Sequence, residues 1–205
     1  MKTLILSLLT LVSIQCFGQA NYEKAMGEAL TQWKSGKAVE AMGKFERIAQ
    51  AEKDNWIPKY YQALVGITQS FSIPDEAQKQ KQIDQSIALI PSDEKQLNAE
   101  WYVLKALALT SQLTIDPMAT AMLLSPEIMD NYDKALALEP NNPRAISGRA
   151  DFQINSKKFM GGDTKQECKD LEKAVSLFDQ EKHDVKFYPT WGKDRTVTLL
   201  GQCKQ

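Results

Sequence analysis

One histidine and three cysteines are the only imidazole and thiol groups in this chain of 205 residues. His183 stands in the charged stretch DQEKHDVKF, whereas a structural metal site wants three or four converging ligands at a recognisable spacing. An ordinary surface histidine and no metal are therefore expected. The sequence also lacks HExxH, GxSxG and P-loop patterns, the signatures that would mark metal-assisted hydrolysis, acyl transfer or nucleotide chemistry. It has no excess of charge: 25 basic residues face 26 acidic ones, with the signs interspersed. Without a global field, neither nucleic acid nor an anionic membrane is expected as the main partner. No apolar run after the first 20 residues approaches the roughly 20 needed to span a bilayer, and no long segment alternates apolar with polar as a half-buried strand would.

The N-terminus is different in kind. Lys2 supplies a positive start, Leu4 to Ile14 form an apolar run, and the small residues Gly18 and Ala20 follow. This order reads as a signal peptide, residues 1–20, removed after residue 18 or 20. Cys16 leaves with it on this reading; a lipidated Cys16 is the rival, against which Gln15 occupies a place where a small residue is normally required. The mature chain, 21–205, is then an exported protein, periplasmic or secreted, with no membrane span. Cys168 and Cys203 remain in it, with no CxxC spacing to suggest redox catalysis. They are either two separate buried thiols or a disulfide of the kind that persists in such compartments, and closing that loop would stabilise the chain by about 3 to 4 kcal/mol.

What the mature sequence does have is a 3.6-residue apolar period nearly throughout, so it reads as all-α. Tyr22, Met26, Ala29, Leu30 and Trp33 line a first helix that Ser35-Gly36 stops; Ala38, Ala41, Met42, Phe45, Ile48 and Ala49 line a second. A third runs from about Pro58 to Phe71, a fourth carries Ile83 and Ile87, and a fifth follows Ser92 as its cap. Residues 113–124 break the rhythm and read as an irregular insertion, after which Ser125-Pro126-Glu127 restarts it with a cap, a proline and an acid in order. Asn142-Pro143 opens a seventh helix, Asp163 with Gln166 forms a capping-box pattern for an eighth, and a short helix from Trp191 to Cys203 closes the chain. Pro91 and Pro140 each end an apolar helix, because proline cannot donate to the ladder and pushes its predecessor out of the α region. Such helix pairs cannot bury their apolar stripes alone; stacking is what folds them.

Three of these stretches carry a resemblance. SGKAVEAMGKFERIAQA, DNYDKALALEPNNP and, more weakly, QIDQSIALIPSD place small, aromatic and proline residues as the tetratricopeptide repeat (TPR) does. The C-terminal part, with NNPRAISGRADFQINSKKF and YPTWG, is similar to small exported TPR proteins of Gram-negative bacteria, a group with no assigned reaction. The resemblance implies an α-α superhelix of about four helix pairs plus a closing helix, whose concave face binds a protein or peptide without catalysis. Pro91 and Pro140 are 49 residues apart instead of the repeat's 34, which is what the insertion around 113–124 would absorb.

The remaining features have plain readings. Asp75-Glu76 and Asp93-Glu94 fall in predicted first turns, where acids favour the positive end of the helix dipole, and MGGDTK at 160–165 is a turn with an N-cap. The tryptophans and tyrosines are mostly core. However, adjacent residues differ by about 100° around a helix, so Tyr60-Tyr61 and Trp101-Tyr102 are each expected to turn one ring outwards. Tyr61, Tyr102 and Arg149 are the candidates for gripping a partner in the groove. No enzyme, cofactor or metal is expected; the partner is an unidentified envelope protein or peptide. The alternative is a solute- or glycan-binding accessory of an envelope uptake system.

Overall fold

The computed structural model describes residues 19–203, so the expected signal peptide, positions 19 and 20 apart, and Cys16 lie outside the described residues. Among the described residues the secondary structure is helical, with no strand. The chain divides into two compact units with the boundary between Val65 and Gly66.

The first unit holds α1 (residues 19–34), α2 (Ala38–Ala51) and the start of α3 (Trp56–Ser70). Gly36 takes a positive φ of 80° at the α1–α2 turn, a conformation glycine enters without the Cβ penalty. Behind it, the Lys37 N–H donates to Gln32 O at 2.9 Å and ties off the helix end. Met26, Ala29, Ala41, Phe45 and Tyr60 are fully buried, which is the apolar stripe of each helix turned inwards.

The second unit continues through α4 (Glu76–Ile87), a one-turn 3₁₀ helix (Glu94–Gln96), α5 (Ala99–Leu113), α6 (Pro117–Leu138), α7 (Pro143–Met160), α8 (Lys165–Gln180) and α9 (Lys193–Gln202). Each of these α-helices packs on its neighbour in sequence, and α5 also packs on α7. Side-chain caps start four of them: Asp75 accepts from Gln78 N at 2.7 Å, Asn98 from Trp101 N at 3.1 Å, Asp116 from Ala119 N at 3.0 Å and Asn142 from Ala145 N at 2.9 Å. An uncapped first turn would leave these donors without partners.

Three local expectations are corrected. Residues 117–124 are not an irregular loop: they form the first turns of α6, because Asp116 caps them and Pro117 stands at the first helical position, where its missing N–H costs nothing. Pro126 lies inside the same helix, at an exposed position one turn after the exposed Met122, so the carbonyl it deprives of a donor stands on a solvent-facing stretch. Ser92 does not cap α5. Asp93 instead caps the 3₁₀ turn by accepting from Lys95 N at 3.0 Å, Leu97 is extended and buried, and Asn98 starts the helix. Finally, Asp163 and Gln166 form no capping box; Thr164 is the N-cap, and Gln166 Nε2 donates to Asp170 Oδ1 at 3.1 Å.

Candidate functional site

The most unusual chemistry of the second unit is a chain of buried charge running from α5 through α7 to the end of α8. Glu100 is completely buried on α5, and Arg144 is almost so in the first turn of α7. The Arg144 Nε donates to Glu100 Oε1 at 2.8 Å, while its Nη1 donates to Glu181 Oε2 at 3.0 Å and its Nη2 to Glu181 Oε1. One guanidinium thus joins two carboxylates, using the planar fork that suits this geometry. Asn142, the α7 cap, donates from Nδ2 to Glu100 Oε1 at 2.7 Å and to Glu139 Oε2 at 2.9 Å. Phe178 lies under the guanidinium, 5.8 Å from it.

The outer end of this chain is His183, whose Nε2 lies 2.9 Å from Glu181 Oε1 and whose ring stacks on Tyr188 at 3.7 Å. Burial pushes the Glu181 carboxyl upwards, but the hydrogen bonds and charge of Arg144, aided by His183, outweigh it and hold the group below the ordinary carboxylate range. Tyr188 moves up, through burial and then the nearby charges of Glu100 and Glu139. A groove of about 360 Å³ opens beside this arrangement, with Glu139, Asn142, Leu177, Glu181 and His183 in its wall. The deep charges satisfy one another, so their role is to hold α5, α7 and the chain after α8 together.

The residues expected to form a partner groove are placed as follows. Tyr61 is buried, stacked on Phe45 at 5.4 Å and edge-on to Trp33 at 6.2 Å. Tyr102 is buried on α5, with Lys105 and Lys134 ammonium groups 5.7 and 5.9 Å from its ring. Tyr60 and Trp101 are buried as well. The one-in, one-out rule for adjacent aromatics fails here because it assumes a helix with a free face. On α5, residues Ala99 to Leu104 are buried without a break, so no face is left free over that stretch. Arg149 is 31% exposed and donates from Nη1 to Asp133 Oδ1 at 2.9 Å. Of the three, only Arg149 therefore reaches the surface, and it does so already paired.

Cys168 and Cys203 are joined by a disulfide with a Cα separation of 5.9 Å. Around it, Leu199, Leu200 and Cys203 pack against Ala150, Ile154 and Leu171, while Arg195 bonds Asp151 and Lys193 bonds Asp179. Sequence reasoning missed Glu100, Arg144 and Glu181. The available signal was Glu100, the only charge in the otherwise uncharged stretch from Ala99 to Leu104, a position where an acid must have a partner or be neutral.

No family model matches the sequence, and no curated protein matches it. In fold, the chain is similar to the HusA haemophore from Porphyromonas gingivalis, with a TM-score of 0.71 at 24% sequence identity over 89% of this chain and 92% of that one. At that identity the likeness is one of architecture.

Proposed function

We propose that this protein is a non-catalytic binding protein that captures a small ligand for uptake at the cell envelope. The observation that carries the reading is the fold shared with a haemophore along nearly the whole length of both chains. The charge chain supports it too: Glu100, Arg144 and Glu181 are engaged with one another, an arrangement that suits a scaffold better than proton transfer. Haem is accordingly the first ligand to test. Titration of the purified protein with haemin should change the haemin absorbance spectrum and saturate at a fixed stoichiometry. A ligand held at 100 times its dissociation constant should also add about 2.7 kcal/mol of stability. An unchanged spectrum together with an unchanged melting temperature would dispose of haem as the ligand.

A second reading is a TPR-like module that binds a peptide or protein. It is favoured by the order of packing, in which α4 to α9 each lie against the next in sequence, as stacked helix pairs do, and by the TPR-like stretches around Phe45 and Tyr132. Capture of a defined peptide from a library, with haemin failing to compete, would favour this reading over the first.

A further inference from the structure

Three constraints converge on His183. The first is a carboxylate: Glu181, itself paired with Arg144, stands 2.9 Å from Nε2. An ionised carboxylate only accepts, so Nε2 carries the proton and the neutral ring keeps its lone pair on Nδ1. The second is the Tyr188 ring, stacked against the imidazole. A tight turn returns Tyr188 to that place, its N–H donating to Val185 O at 3.2 Å. Within the turn Phe187 has a φ of 62°, a conformation that a β-carbon disfavours. The Tyr188 hydroxyl donates to Glu139 Oε1 at 3.4 Å and fastens the stack to the residue that ends α6. The third is position: His183 stands in the wall of the groove with a quarter of its side chain exposed, and among the described residues nothing bonds Nδ1. Metal-ligating histidines carry this kind of backing, because a second N–H on a carboxylate sets the tautomer, orients the ring and makes the ligating nitrogen more basic.

We propose that His183 is an axial ligand to haem iron, Nδ1 bonding the metal while an edge of the porphyrin enters the groove walled by Pro140, Pro143 and Leu177. The assignment rests on the haem reading above and gives that ligand a place and a bond. Imidazole is a common axial ligand of haem iron, and His183 is the chain's one imidazole. A bare metal ion fits less well. Among the described residues no group of three or more His, Cys, Asp or Glu could hold one, and a protein-held zinc ion wants at least that many ligands. The porphyrin brings its own nitrogens, so a single protein ligand is enough for iron in haem. Lys182, in the same wall, offers a cation to a haem carboxylate.

Haemin and metal-free protoporphyrin, titrated separately into the purified protein, isolate the iron bond. The wild type should bind haemin at least about tenfold more tightly than protoporphyrin. His183→Ala should weaken haemin binding to about the level of protoporphyrin and shift the absorption band of bound haemin. Its affinity for protoporphyrin should stay unchanged, which shows in the same experiment that the fold and the groove survive. Equal affinity for the two ligands in the wild type would overturn the assignment, as would haemin affinity and spectrum that His183→Ala leaves unmoved. Parallel loss of both ligands would overturn it too, since His183 would then shape the groove without bonding the iron. In each of these cases haem capture stands and only the iron bond falls. A wild type that binds neither ligand would instead remove the haem reading, and the assignment with it.

Discussion

Among the described glycines, Gly148 has the closest surroundings. Gly148 on α7 leaves room for the buried Tyr132 ring, and no other residue type does so without moving it. Gly148→Ala should therefore destabilise the protein by about 1 to 3 kcal/mol, the usual result of overfilling a packed site. The roughly 1 kcal/mol that alanine gains over glycine in a helix is not enough to offset this. Gly27→Ala on α1, where nothing lies within 4 Å of the added carbon, should show that gain alone. Denaturant melts of the two variants would separate the effects. Glu181 gives a pH dependence. Its folded carboxyl is held below the ordinary value of 4.5, so its contribution to stability is present above that value and is lost as pH falls through the folded one. The stability difference between wild type and Glu181→Gln should thus be greatest near neutrality and shrink below about pH 4. A difference constant from pH 7 to pH 3 would mean that Arg144 draws nothing from the Glu181 charge. Neither residue pair could be read beforehand. Tyr61 and Tyr102 were legible as aromatics on helices, but which faces are covered depends on neighbours distant in sequence.

At the scale of the element, the apolar period and the punctuation were informative because they are local. Gly36, Asn142-Pro143 and Gly161 mark helix ends in the sequence and do so in the structure. The misreadings arose where local signals competed. Ser125-Pro126-Glu127 has every mark of a start, yet Asp116-Pro117 offers the same signal nine residues earlier and captures the helix. Likewise, Ser92 lost to Asp93 and Asn98 because Leu97 is drawn into the core between them. The Cys168–Cys203 disulfide, which spans 35 residues, fastens the end of α9 to α8. Cys203→Ser should lower stability by about 4 kcal/mol on the chain-entropy account. Thiol titration of the unreduced, denatured wild type should find neither of these two cysteines reactive.

At the scale of the whole molecule, an all-helical chain was plain from the 3.6-residue period and the missing alternation, since both survive in every helix that forms. The likeness to a haemophore was not, because nothing in the helix stripes encodes what a shared fold carries. The ligand is accordingly a matter for the haemin titration. Among the described residues no helix is long and apolar enough to cross a membrane.

The bond between Cys168 and Cys203 also has a bearing on timing. Its second sulfur follows the first by 35 residues, so α8 is complete in the growing chain before anything can fasten it. In reducing surroundings the pair would stay open, and α9 would be held only by its packing and by its ion pairs to Asp151 and Asp179.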